Sequence, residues 1–154
     1  MEGPMASRHE DWLKQGRRDL EHARHSMDDG DFEWACFAAQ QGAEKAVKAV
    51  YQKAGGVAWG HSVTALLEAL PESLQPESRL LDAAKELDKH YIPSRYPNAH
   101  PEGAPYEYDI KGEAERAIAN AGQIIRFCTG VLAEPPGDDE ETSESSEGAE
   151  EAVS

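Results

Sequence analysis

Between residues 91 and 100 the chain reads Tyr-Ile-Pro-Ser-Arg-Tyr-Pro-Asn-Ala-His, which puts Arg95 and His100 five positions apart in a proline-braced loop at the mouth of a helix. That pair suits phosphodiester chemistry. A histidine titrating near neutrality takes a proton from a ribose 2′-hydroxyl or returns one to a leaving oxygen. An arginine fork holds the phosphate and offsets the charge that builds in the transition state. The scheme needs no metal and no cofactor. The same residues also have a structural reading, in which Arg95 pairs with a carboxylate and stacks on Tyr91 or Tyr96 to pin the loop, while His100 is an exposed loop residue. An Arg-x4-His spacing recurs by chance, so the pattern by itself does not choose between the two.

Other side chains are candidates for holding RNA or a nucleotide. Gln41, Glu44, Lys45 and Lys48 are spaced by three and four, as on one helical face. They read either as ligand contacts or as an ordinary polar face with a Glu44–Lys48 pair. His61 stands before a leucine-rich helix, where it either caps that helix or lies near the cleft. The tyrosines Tyr91, Tyr96, Tyr106 and Tyr108 stack a base or pack the loop. His22 and His25 lie three apart with no third ligand fixed by spacing, so they read as a solvated face and no metal site is expected. No P-loop, paired metal-ligand set, nucleophile elbow or glycine-rich dinucleotide fingerprint is present. Cys36 and Cys128 are each alone among apolar neighbours, the setting of small core residues.

The elements that must position these groups are helices. From Glu10 to Met27, Leu13, Gly16, Leu20, Ala23 and Met27 form one stripe, which Asp28, Asp29 and Gly30 end. Asp31 is placed to cap a second helix from Phe32 to about Ala54. Its Phe32, Cys36, Ala39, Ala43, Ala46, Val47 and Val50, widened by Ala35, Ala38 and Ala49, mark it as the centre of a bundle, stopped by Gly55 and Gly56. Ser62 caps a short third helix with Val63, Leu66, Leu67 and Leu70 inward, and Pro71 ends it. A fourth helix starts around Pro76 and runs to Tyr91, with Leu80, Leu81, Ala84, Leu87 and Tyr91 inward. After the loop, Asp109 caps a last helix whose stripe runs from Ile110 through Ala114, Ala117, Ile118, Ala121, Ile124, Ile125 and Cys128 to Leu132. No strand alternation and no internal repeat appear. The fold expected is all-α, an antiparallel up-and-down bundle of four or five helices.

Composition divides the chain of 154 residues into one domain and its flanks. The expected boundaries are a disordered N-terminus over 1–8, the bundle over 9–133 and a disordered acidic tail over 134–154. The net charge of −15 is concentrated in that tail, which has nine acids and no Lys or Arg; the body carries 21 acids against 15 bases. The body's net of −6 excludes a broad basic footprint for nucleic acid but not a local phosphate pocket. The tail reads as a solubilising appendage, a mask over a phosphate pocket or a contact for a basic partner. No apolar run approaches the roughly 18 residues of a membrane span. The first residues lack an export signal, so a cytoplasmic protein is expected.

Four ordered stretches resemble the HEPN domain family. They are the opening Trp12-Leu13 with Asp19-Leu20-x-x-Ala23, and the central helix from Trp34 through Gln40-Gln41-Gly42-Ala43-Glu44-Lys45 to Val50. His61-Ser62 and then Tyr91-Ile-Pro-Ser-Arg-Tyr-Pro follow. The resemblance covers about residues 9 to 132. It implies a bundle that dimerises, and for many members a metal-independent ribonuclease toxin with an Arg-x4-6-His motif, encoded beside a minimal nucleotidyltransferase antitoxin. Carried over by position, Arg95 holds the phosphate and His100 transfers the proton, with two such pairs facing one cleft in the homodimer. In the toxin branch a tyrosine two places after the histidine is modified by the antitoxin; Glu102 stands there in this chain, with Tyr106 and Tyr108 nearby. Other members are non-catalytic modules that bind nucleotides or adapt to a nucleotidyltransferase, and a purely structural helical dimer is the third reading.

Overall fold

The computed structural model describes residues 8–91, 102–104 and 110–133. Of the expected flanks, 1–8 and 134–154, all but Arg8 lie outside the described residues, as do Arg95, Tyr96, His100, Tyr106, Tyr108 and Asp109. Five α-helices are described: α1 (His9–Asp28), α2 (Phe32–Lys53), α3 (Val63–Glu68), α4 (Ser78–Asp88) and α5 (Lys111–Ala133). One 3-10 turn, Glu72–Leu74, lies between α3 and α4, and no strand occurs among the described residues.

α2 is the hub, packed against all four other helices, with twelve of its 22 residues buried. Its alanines are small enough to bring neighbouring backbones close. It meets α1 closely, where a Cβ on Gly16 would lie 2.8 Å from the carbonyl oxygen of Gly42, and a Cβ on Gly42 would lie 2.8 Å from that of Gly16. Only glycine fits at either place. The crossing is locked on one side by Lys45 Nζ, 2.6 Å from Asp19 Oδ2.

Cross-helix bonds give the direction of each element. α1 turns back into α2 over three residues, and Arg17 of α1 donates to Thr129 Oγ1 of α5 at 3.1 Å. Lys53 at the end of α2 donates to the Leu132 carbonyl near the end of α5 at 2.6 Å. Asn120 of α5 donates to Glu86 of α4 at 2.9 Å, while His90 just past α4 approaches Glu113 at the start of α5. α1, α2, α4 and α5 therefore alternate up and down, and α3 is part of the connection from α2 to α4.

The helix ends follow from their residues. Gly30 and Gly55 take positive φ, both 83°, and close α1 and α2 with paired bonds: Asp31 N–H to Ser26 O with Gly30 N–H to Met27 O, and Gly56 N–H to Tyr51 O with Gly55 N–H to Gln52 O. Asp31 occupies the N-cap position of α2, but its side chain makes no capping bond there.

Two further expectations need correction. Ile110, placed inward on the last stripe, is 61% exposed, because the stripe becomes buried only from Ala114 onward. The fourth helix ends at Asp88 rather than Tyr91; Lys89, His90 and Tyr91 donate backbone N–H bonds three residues back, in the tightened geometry of a helix end. Cys36 and Cys128 are buried in the core, and burial pushes the Cys128 thiol well above its ordinary range.

Candidate functional site

The described polar centre is built on α2. Glu44 is buried, its side chain only 6% exposed, a position a carboxylate holds only when its charge is met. Three donors meet it. Lys48 Nζ lies 2.9 Å from Oε2, His61 Nδ1 lies 3.0 Å from the same oxygen, and Gln41 Nε2 donates to Oε1 at 3.1 Å. The Glu44–Lys48 pair expected from the spacing is thus present, and it forms the floor of a larger cluster. Gln40, fully buried one residue before Gln41, donates to the His61 carbonyl at 2.9 Å and accepts from Gln41 at 2.8 Å. His61 is therefore held by both its ring and its backbone.

α3 is too short to be stable alone, and it is stabilised from outside at both ends. At its N-terminus Ser62 Oγ accepts from Ala65 N–H and donates to Asp88 Oδ2, both at 3.0 Å. Asp88, at the end of α4, also accepts from the backbone N–H groups of Val63 at 2.8 Å and Thr64 at 3.0 Å. A carboxylate at a helix N-terminus satisfies orphan donors and complements the helix dipole. At the other end Gln75 Nε2 lies within 3.1 Å of the carbonyls of Leu67, Glu68 and Leu70. Ser62 and Asp88 cap α3, and His61 is left to turn its ring toward Glu44.

Onto that ring stacks Tyr91. The two rings lie 4.6 Å apart at 17°. Tyr91 in turn lies 6.5 Å from Phe37, which meets Trp34 edge-on at 6.2 Å. The Tyr91 hydroxyl is pushed above its usual range, first by desolvation and then by the Glu44 charge.

The candidates from sequence therefore separate. His61, Glu44, Lys48, Gln40 and Gln41 come together, with Tyr91 joining from beyond α4. Lys45 turns to Asp19 of α1 instead and forms part of the helix crossing. Arg95, Tyr96, His100 and Tyr106 lie outside the described residues; Arg95 follows Tyr91 by four positions. Asp88 and Phe37 carry no local sequence signal for their roles, since their partners are distant in sequence or on another element. A separate cavity of about 80 Å³ between α4 and α5 is lined by Glu86, Lys89, His90, Glu113, Arg116 and Asn120. Within it Arg116 pairs with Glu113 at 3.1 Å and Asn120 donates to Glu86 at 2.9 Å. Among the described residues no group of three or more His, Cys, Asp or Glu side chains is arranged to hold a metal ion.

An up-and-down bundle around a small-residue central helix, with a buried Glu44 tying the α3 lead-in to that helix and Asp88 tying the start of α3 to the end of α4, defines a class of helical domain. The HEPN domain family matches residues 9–131, and the chain belongs to that family. Its structure is similar to that of TT1696 from Thermus thermophilus, at 48% identity and a TM-score of 0.79 over 82% of this chain and 99% of that one. It is also similar to ST0689, an archaeal HEPN homologue, at 45% identity and a TM-score of 0.69 over 81% of this chain and 98% of that one. A HEPN domain protein from Thermotoga maritima, TM0613, matches at 42% identity and a TM-score of 0.67 over 81% and 99% of the two chains. No curated protein matches the chain. No helix among the described residues is long and apolar enough to cross a membrane.

Proposed function

We propose that this protein is a HEPN-type, toxin-like, metal-independent endoribonuclease that works as a cytoplasmic homodimer and is neutralised by a cognate minimal nucleotidyltransferase. Arg95 holds the scissile phosphate and His100 moves the proton between the ribose 2′-hydroxyl and the leaving oxygen. The observation that carries this reading is the anchoring of Tyr91, stacked at 4.6 Å on a His61 that Glu44 and Gln40 hold in place. Tyr91 is thus a fixed point four positions before Arg95 in the sequence, which favours the positioning that phosphoryl chemistry requires. Homodimer and nucleotidyltransferase rest on membership of the family. Induced expression in bacteria tests the reading: growth is inhibited by the wild type and relieved by Arg95→Ala and by His100→Ala at equal protein level. Inhibition unchanged in both variants contradicts it.

A second reading, a non-catalytic module that binds a nucleotide and docks on a nucleotidyltransferase, is favoured by one observation. Glu44 is already met by three donors, so the described cluster offers a surface for rings and no spare carboxylate. Calorimetry with adenine nucleotides separates the two, because this reading requires saturable, Arg95-dependent binding without RNA cleavage.

A further inference from the structure

The His61–Tyr91 stack is unequal. Tyr91 covers one face of the imidazole at near-parallel geometry, yet the His61 side chain remains 54% exposed. Its Nδ1 edge is directed at Glu44 and its backbone carbonyl is taken by Gln40, so the exposed area belongs to the opposite face and the Nε2 edge. A ring so held loses little freedom when another flat ring settles on it. Behind it the row continues through Tyr91 and Phe37 to Trp34, an unbroken series of aromatic contacts from α4's end to the first turns of α2. Chemically this is a platform open at its His61 end.

We propose that the open face of His61 is a stacking subsite for one unpaired nucleobase of a bound single-stranded RNA. This rests on the ribonuclease reading above and adds a contact to it. A base on this face stacks regardless of its identity, since every base presents a π-face, and the Nε2 edge offers one polar contact beside it. The subsite therefore selects single-stranded over paired RNA, because a base within a duplex has no free face to give. Glu44 acts as a positioning residue: it aims the ring and does not touch the RNA.

The test uses the full chain and a fluorescent single-stranded oligonucleotide with 2′-O-methyl riboses, which binds but lacks the 2′-hydroxyl that cleavage needs. Versions carrying a single abasic site at successive positions locate the stacked base. In wild type one abasic position is expected to weaken binding by about tenfold or more. His61→Ala is expected to weaken the intact probe equally and to be insensitive to that abasic position, while His61→Phe restores both affinity and sensitivity. Thermal unfolding of each variant shows that the fold is retained, and the loss of abasic sensitivity is a readout that mere loosening does not produce. If Arg95→Ala abolishes binding while His61→Ala leaves it and its abasic sensitivity unchanged, the subsite is overturned and the ribonuclease reading stands. If His61→Ala changes only the oligomeric state, the ring belongs to a protein contact and the subsite is likewise overturned. If wild type binds no probe and cleaves no RNA, the reading and the subsite fall together.

Discussion

His61 and Glu44, 17 positions apart, meet at 3.0 Å across the gap between the α3 lead-in and the central helix. Through that contact a buried charge on α2 fixes a half-exposed ring on a loop, and the ring fixes Tyr91. Packing in the bundle is thereby converted into the placement of two rings at its surface.

The first prediction concerns Asp88. Replacing it with alanine leaves the N–H groups of Val63 and Thr64 without their acceptor and removes the partner of Ser62. Lost caps of this kind cost about 1–2 kcal/mol. Asp88→Ala is expected to lower stability in urea by about that amount, and also to weaken RNA binding, because the α3 lead-in that carries His61 loses its anchor. Full affinity in a destabilised Asp88→Ala protein contradicts the link between cap and site.

A second prediction follows from the helix crossing. A methyl at Gly16 or Gly42 meets a backbone oxygen at 2.8 Å, which no side-chain rotation relieves. Overpacking costs about 1–3 kcal/mol, more than the ~1 kcal/mol that alanine gains over glycine in a helix. Gly16→Ala and Gly42→Ala should each lower the midpoint of thermal unfolding. Because both report on one contact, the double variant should lose less than the two single losses combined.

A third prediction is a pH dependence. Burial pushes the Tyr51 hydroxyl up, and that hydroxyl donates to the Leu66 carbonyl at 2.6 Å; Tyr91 is raised by desolvation first and by Glu44 second. A phenol whose folded pKa exceeds its unfolded value near 10 contributes stability that is complete below about pH 10. That contribution is lost as pH rises through the folded value. Denaturant unfolding should show a stability loss as pH rises above about 10 that is reduced in Tyr51→Phe. In Glu44→Gln the Tyr91 titration, followed by phenolate absorbance, should move down but stay above the ordinary value, since desolvation is the larger cause. A Tyr91 titration unmoved by that substitution contradicts the proximity of the two groups.

Much of this architecture is legible in the residues themselves. The alanine-rich period of α2 names the bundle's centre, Gly30 and Gly55 mark helix ends, and Ser62 marks an N-cap, because each depends on local backbone chemistry. The site is less legible because its bonds are long in sequence. Gln41, Glu44, Lys45 and Lys48 read as one face, yet α1 draws Lys45 to Asp19 while the α3 lead-in draws Glu44 to His61. Tyr91 continues the inward period of α4, but the helix stops at Asp88 and frees it to stack on His61. Asp88 carries no local mark of its role, since the donors it satisfies lie 24 to 26 residues earlier.

The central claim is tested most directly by cleavage of a mixed RNA substrate in EDTA, by the purified protein and by its His100→Ala variant. Cleavage by the wild type and not by His100→Ala is the result expected of a metal-independent ribonuclease with His100 in its active site. Cleavage by neither protein contradicts it and leaves the nucleotide-binding module as the reading, with Arg95 the next residue to test.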